Sequence, residues 1–256
     1  MQIYVCVKHV PDTAANIYLT GKTAYDESVK FVANPYDEYG LEEAIKAVKE
    51  NGGGEVVIVT VGPEGAFSTI RSALAVGADR GILITTDDQF TDSMKISQAL
   101  KKAIEQDGSP DLIFTGKQTV DSEGMQTHYH LAAAFDMPIA TDVVDFKLSN
   151  GKIVVEREIE GGARQIIEMT KPCVIGATKG LNEPRYPKLP DILKAKKKEI
   201  KKIAIADLEI LVSDSGTQLL ELQPAPEKGA AKMIEGDAHK MAEELIQLLK
   251  NEAKVI

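Results

Sequence analysis

Along the first 140 positions, short runs of apolar residues alternate with longer stretches in which apolar side chains recur every three or four residues. The short runs, at 3–7, 55–61, 81–85 and 112–114, read as strands, and the first is apolar on both faces in the manner of a central parallel strand. The periodic stretches read as helices. One opens at Asn34-Pro35, with Asn34 as cap and Asp37 in the first turn; Leu41, Ala44, Ile45 and Val48 form its stripe, and Asn51-Gly52-Gly53-Gly54 ends it. A second covers roughly 66–76, with Ile70, Ala73 and Leu74 inward and Gly77 as C-cap. A third, capped by Thr91, carries Ile96, Leu100, Ala103 and Ile104, and a fourth runs through about residue 134. Repeated strand–helix rounds predict the α/β class: a doubly wound, mainly parallel sheet with helices on both faces, because each crossover covers one face.

Two regions break this rhythm. Residues 16–32 are mixed and suggest a small peripheral hairpin, while 139–144, 153–159 and 165–168 read as short strands joined by turns at 149–151 and 160–162. Residues 173–178 form another apolar strand able to return to the sheet. Residues 180–190 contain Pro184, Pro187 and Pro190 and read as an extended surface loop, followed by a short helix from Asp191 through Ile192 and Ala195. Lys194, Lys196, Lys197, Lys198, Lys201 and Lys202 then form a basic stretch, by default a solvated face and alternatively a surface for an acidic partner. Residues 203–235 offer little packing of their own, and a last helix over about 236–250 carries Met241, Leu245 and Leu248. The expected organisation is an α/β domain over 1–200, with its hairpins, and an extended C-terminal arm and helix over 201–256 that packs on another subunit.

Composition narrows the function. With 256 residues the chain can bury a large core, and a net charge of -9 with no zinc-finger, RNP or arginine-rich element argues against nucleic-acid binding. No apolar run reaches the roughly 18 residues of a membrane helix, and the N-terminus goes directly into a strand pattern without a signal segment. Cys6 and Cys173 both sit in apolar runs, as buried free thiols do, which fits a reducing interior: bacterial cytoplasm or a processed organellar form.

The chemistry concentrates in residues 111–127, DLIFTGKQTVDSEGMQT. Leu112, Ile113 and Phe114 make the strand, Gly116 and Gly124 permit close backbone approach, and Thr115, Lys117, Gln118, Ser122, Gln126 and Thr127 supply donors. A strand running into a polar loop and a helix start is a phosphate or nucleotide pocket in an open sheet, although ordinary α/β connectors share this composition. The Rossmann glycine signature, the P-loop, HExxH and GxSxG are all absent. His128 and His130, two apart on a helix, do not share a face, and His9 is by default structural. Asp121 reads as a helix cap, which leaves a phosphate to neighbouring NH groups and to Ser122, Gln126 or Thr127. Arg157 and Glu158 are either an intrachain pair or a handle for a partner. Val61-Gly62, the Asn34–Asp37 turn and the focal loop all fall at one sheet edge, and their convergence points to an adenine nucleotide.

Several longer stretches carry a resemblance. VKHVPD near the start, NPYDEYGLEEA, VGPEGAFSTIRSALAVGADRG, TGKQTVDSEGMQT, VEREIEGG at 155–162 and LNEPRYPKLPDILKAKKK at 181–198 occur in an order similar to that of the electron transfer flavoprotein β-subunit family. The resemblance spans nearly the whole chain. It implies an obligate heterodimer whose α subunit holds most of a redox-active FAD, with this chain as a non-catalytic electron-carrier subunit. Flavin-containing acyl-CoA or related dehydrogenases of fatty acid or amino acid oxidation would donate electrons, and a membrane quinone oxidoreductase or another acceptor would receive them. The resemblance also implies a structural AMP, contacted by Cys6, Asn34, Pro35, Tyr36, Asp37 and Val61, and by the loop Gly116, Lys117, Gln118, Thr119, Val120, Asp121, Ser122, Glu123, Gly124, Met125, Gln126 and Thr127. Cys6 and Val61 suit the adenosine and the loop suits the phosphate; Asp121 to Gly124 differ from the family's common acidic version.

The same resemblance places a dehydrogenase recognition loop at about 183–197, with Glu183, Pro184, Arg185, Tyr186 and Ile192 around Leu189 as anchor. Glu158 would hold the mobile FAD domain of the α subunit. An electron-bifurcating relative, with a second FAD in place of AMP and NADH as donor, is the alternative within the family; a stand-alone adenine-nucleotide-binding regulatory domain is the alternative outside it. The compartment implied is the cytoplasm of a bacterium or archaeon, or the mitochondrial matrix of a eukaryote.

Overall fold

A computed structural model describes residues 1–149, 151–210, 216–224, 226 and 229–256. The expected 149–151 turn includes Asn150, which lies outside the described residues. The chain divides into two units, Met1–Leu222 and Gln223–Ile256.

The apolar runs at 3–7 and 55–61 become strand β1 (Gln2–Cys6) and, after β2 (His9–Pro11), β3 (Phe31–Ala33) and helix α1 (Pro35–Glu50), strand β4 (Glu55–Gly62). Helix α2 (Phe67–Val76), β5 (Arg80–Thr85), α3 (Ser93–Asp107), β6 (Leu112–Gly116) and α4 (Thr127–Phe135) continue the alternation. Then come β7 (Ile139–Ser149), β8 (Lys152–Glu158), β9 (Arg164–Thr170), β10 (Cys173–Ala177), α5 (Leu189–Ala195) and β11 (Ile200–Ala204). Nine strands form one sheet in the order β11-β5-β4-β1-β6-β10-β7-β8-β9. Pairings are parallel from β11 to β7 and antiparallel from β7 to β9. This is the expected doubly wound sheet.

Alternation along the strands divides the core into two layers. Ile3, Val5, Ile58, Leu112 and Phe114 pack with Leu41, Ala44, Ile70 and Leu74 of α1 and α2. On the opposite face Tyr4, Val57, Val59, Ile82, Ile84 and Ile113 pack with Leu100, Ala103, Ile104 and Leu131 of α3 and α4.

Four local expectations need correction. The hairpin expected within 16–32 reduces to an isolated bridge between Leu19 and Tyr25, while the ends of the excursion pair as β2 and β3. Asp92, not Thr91, caps α3, accepting from the Met94 amide at 2.8 Å. The strand read at 139–144 is longer than expected: β7 runs for 11 residues, and the antiparallel β8 and β9 extend the edge of the main sheet beyond it. Finally, the basic stretch hides β11, in which exposed Lys201 and Lys202 sit between half-buried Ile200 and buried Ile203 as the edge strand beside β5. Edge lysines of this kind block further pairing. Ile203 and Leu208 are buried, so packing continues past residue 203.

The second unit contains helix α6 (Ala238–Leu248), capped by Asp237, whose side chain accepts from the His239 and Lys240 amides at 3.0 Å each. Its apolar side chains Met241, Leu245 and Ile246 remain exposed.

At the amino ends of the strands, Arg80 forks to Glu55 at 2.9 Å through Nε and Nη2 and to Asp107 at 2.8 and 2.7 Å. The Tyr4 hydroxyl donates to Asp107 at 2.8 Å. One guanidinium thus joins β4, β5 and α3. Replacing Arg80 by Ala strands a largely buried Asp107 and is expected to cost about 2–3 kcal/mol, reduced from a fully buried pair because Glu55 is partly solvated. Urea denaturation measures this, and an unchanged midpoint would show that the network contributes nothing.

Candidate functional site

From β1 the chain crosses to β4 and β5 on one side, then returns to place β6 on the other side of β1. A reversal of this kind opens a crevice beyond the carboxyl ends of the strands. Cys6, Gly62 and Gly116 are the last residues of β1, β4 and β6 at that edge.

Two side chains at the start of α1 assemble it. Asn34 is fully buried, and its amide makes no helix cap. Instead Nδ2 donates to the Gln118 carbonyl at 2.9 Å while Oδ1 accepts from the Val120 amide at 3.1 Å. An amide supplies both a donor and an acceptor, and a stretch of loop backbone satisfies both, whereas a cap would use the oxygen alone. Asp37, also buried, accepts from the Lys8 amide through Oδ2 at 2.8 Å and from the Gly116 amide through Oδ1 at 2.9 Å. Burial pushes its carboxyl up to about 7, against the lowering effect of those two amides. A Cβ at Gly116 would sit 2.4 Å from Asp37 Oδ1 and 2.7 Å from Tyr36 Cβ, so only glycine permits this approach.

The loop beyond Gly116 is held at several points. Lys117 pairs with Asp142 at 3.3 Å and lies 5.6 Å from the centroid of the Tyr36 ring, which follows Pro35 in the first turn of α1. Thr119 and Ser122 share a hydroxyl contact at 2.9 Å. Asp121 caps no helix, because α4 begins only at Thr127; its carboxylate instead receives Lys8 Nζ at 2.6 Å. Partial desolvation acts to raise Asp121, and the Lys8 ammonium together with hydrogen bonds from Thr119 and the backbone outweighs it, holding the carboxyl below its usual range. Glu123 and Met125 flank Gly124 with φ of 48° and 51°, a conformation costing about 1 kcal/mol or more for side-chain-bearing residues. Gln126 accepts from Ser93 at 3.1 Å, and the Thr127 carbonyl accepts from Ser97 at 2.9 Å, tying the start of α4 to α3.

Cys6 and Val61 both pack with the α3/α4 layer of the core. Thr115, two positions beyond Ile113 of that layer, is buried, and its hydroxyl has no hydrogen-bond partner. This orphan, the apolar sides of Cys6 and Val61, and the exposed loop 121–126 together fit a bound nucleotide. The geometry does not favour nucleophilic or acid–base chemistry. Burial drives the Cys6 thiol far above its ordinary range, with Asp37 adding to the effect, and pushes Cys173 up to about 12. Burial also lowers His128 to about 4, against Asp142. His9 stacks on Phe31 at 4.5 Å and bonds Thr69 at 2.7 Å, which is a structural role. Among the described residues no His, Cys, Asp and Glu group assembles with metal-holding geometry.

The remaining candidates lie elsewhere. Glu183, Tyr186, Leu189 and Ile192 are exposed, Pro184 is half-buried, and the Arg185 guanidinium is engaged by Glu42 at 2.7 Å. Glu158 is exposed on β8 next to half-buried Arg157, and the two form no ion pair, as expected for strand neighbours that face opposite ways. Glu156 instead pairs with Arg164 at 3.4 Å. Sequence reasoning gave no role to Lys8, whose position as the first charged residue after the apolar run of β1 is the available signal, nor to Glu42 and Asn182, which carried none.

Residues 22–208 match the model of the electron transfer flavoprotein domain family. The chain is 37% identical, over the full length of both, to the electron transfer flavoprotein subunit beta of Bacillus subtilis. It belongs to the electron transfer flavoprotein β-subunit family. The mitochondrial subunit beta of Arabidopsis thaliana is also 37% identical over both full chains, and that of Syntrophomonas wolfei is 33% identical over all of this chain and 98% of its own. A β subunit implies an α-subunit companion, and no helix among the described residues is long and apolar enough to cross a membrane.

Asp37 gives the crevice of this family member a pH signature. A carboxyl raised by burial stabilises fully below the ordinary aspartate range and loses that contribution as pH rises through about 7. His9 and His128, lowered by burial from 6.5, act in the opposite sense, adding stability as pH rises through the ordinary histidine range. Across pH 5 to 8 the urea midpoint of Asp37→Asn is therefore expected to gain steadily on that of the wild type, because the two proteins share the histidine contribution and differ in the carboxyl alone. Parallel slopes in the two proteins would exclude titration of Asp37.

Proposed function

We propose that this chain is the nucleotide-holding, partner-docking β subunit of an obligate heterodimeric electron transfer flavoprotein. In this reading it receives electrons from flavin-containing acyl-CoA or related dehydrogenases and passes them to a quinone oxidoreductase or another acceptor. The observation that carries the reading is the crevice in which Asn34 and Asp37 pin the 117–126 loop beside the unpartnered Thr115 hydroxyl. FAD, held mainly by the α subunit, supplies the reversible electron carrier.

The crevice of this chain takes AMP. Cys6 and Val61 face the adenosine, and loop amides around Gly124 with Ser122, Gln126 and Thr127 receive the phosphate. Lys8, already paired with Asp121, neutralises the carboxylate that would otherwise repel that phosphate. The apolar side chains of Cys6 and Val61 exclude water from the base, while the pinned loop orients the anion. Glu158 and the arm over 201–256 contact the α subunit, the exposed apolar stripe of α6 supplying part of that surface. Such a complex resides in bacterial cytoplasm or the mitochondrial matrix.

Chromatography of nucleotides released from the native complex is expected to give one FAD and one AMP per heterodimer. Two FAD together with NADH oxidation would replace this with the bifurcating reading, and a stable monomer binding adenine nucleotide without an α chain would replace it with a regulatory domain. Leu189, 71% exposed, serves as the docking anchor. Leu189→Ala removes about 1.5–3 kcal/mol of burial and is expected to raise the KM of a donor dehydrogenase for the heterodimer about tenfold or more. FAD content and assembly should stay unchanged, and unaltered acceptance kinetics would remove Leu189 from this role.

A further inference from the structure

The docking segment is tied down at both ends by groups outside it. Upstream, α1 carries two carboxylates that are 3% and 9% exposed, Glu42 and Glu43. Glu42 receives the fork of Arg185, with Nε to Oε2 and Nη2 to Oε1 at 2.7 Å each, and the Arg185 amide approaches Oε2 at 3.3 Å. Asn182 Nδ2 donates to Glu43 Oε2 and to the Tyr39 carbonyl, both at 2.9 Å. Lys46 lies 4.0 Å from each carboxylate, beyond hydrogen-bond range, so Arg185 is the close counter-charge of Glu42. Downstream, Arg71 of α2 donates to the Ala195 carbonyl at 2.6 Å and to that of Lys198, while Lys198 Nζ donates to the Leu74 carbonyl at 3.0 Å.

Between these anchors Pro187 and Pro190 restrict the backbone, and Tyr186, Leu189 and Leu193 stand 93%, 71% and 55% exposed. Bulky apolar side chains directed outward from a segment that is already fixed lose little freedom on binding. A bidentate arginine pair to a buried carboxylate is directional, and breaking it leaves a buried charge, so the segment has one favoured seat on α1.

We propose that Glu42, acting through Arg185, is a positioning residue that preorganises residues 186–193 for the electron-donating protein, so that the pair sets the donor's affinity and leaves the transfer step untouched. The proposal rests on the docking reading above and extends it to residues that never meet the donor. Arg185 accordingly works within the chain and not as a contact to the partner.

The test uses the intact heterodimer with a flavin-containing acyl-CoA dehydrogenase reduced by its substrate. Glu42→Gln keeps the shape and removes the charge. Its KM in the donor assay is expected to rise about five- to tenfold at unchanged kcat, the size of one or two newly mobile side chains. Amide hydrogen exchange across 184–195 should accelerate, while β1, β4, β6 and released-nucleotide content remain as in the wild type. Arg185→Ala should reproduce the effect and add nothing in the Glu42→Gln background. A further KM increase in that double variant would mean that Arg185 touches the donor directly and would overturn the proposal. Wild-type KM and exchange in both single variants, with Leu189→Ala still impaired, would overturn the clamp and leave the docking reading standing. Wild-type kinetics in all three would remove both. If Glu42→Gln does not assemble, Arg185→Ala and its exchange pattern carry the same comparison.

Discussion

A carboxylate buried where two parallel strands diverge is the constraint on which this site depends. Asp37 takes the amide after β1 with one oxygen and the last amide of β6 with the other. Both amides lie where ladder pairing gives out at the switch point, and without a partner each would be an unsatisfied buried donor. The first turn of α1 offers a partly positive environment that offsets some of the carboxylate's desolvation. Gly116 follows as a necessity, since any side chain there would collide with the oxygen that holds it. Asn34 then extends the same hold to the loop through Gln118 and Val120. Strand end, helix start and loop are one assembly, which is what a rigid holding site requires.

Much of this was legible in the chain, in proportion to how local each signal is. Apolar runs located β1, β4, β5 and β6 to within about two residues, because a strand buried on both faces leaves few alternatives. β11 escaped because an edge strand with Lys201 and Lys202 facing solvent looks like a charge run until its neighbour β5 is in place. Asn34 and Asp37 were visible as helix-start residues, and their helix position is as expected, but their side chains bond partners 79 to 86 positions away, or reach back 29 to Lys8. No local pattern encodes those partners. Asp121 failed for the same reason, since a carboxylate before a helix reads as a cap unless Lys8, 113 positions earlier, is known to stand beside it.

The electrostatics of the crevice favour holding over reacting. The thiols are driven towards their neutral form, His128 is kept neutral, and the ion pairs Lys8 with Asp121 and Lys117 with Asp142 satisfy themselves. A general base or nucleophile needs a group poised near the working pH and aimed at open space. Asp37 has the former property, but both of its oxygens are committed to backbone amides. The groups of the crevice are therefore arranged to keep the loop in place.

Helix α1 joins this crevice to the exposed segment beyond Gly180. Its first turn supplies Asp37, and one to two turns later it presents Glu42 and Glu43 to Arg185 and Asn182. An α-helix of 16 residues is stiff over that distance, so the two attachments share one rigid body. The crevice and the exposed segment therefore have one structural support in common, five to six residues apart on the same helix. Burying Asp37, Glu42 and Glu43 beside the apolar stripe of α1 carries a desolvation cost that their hydrogen-bonded partners offset, and the result is two features set in register by the same helix.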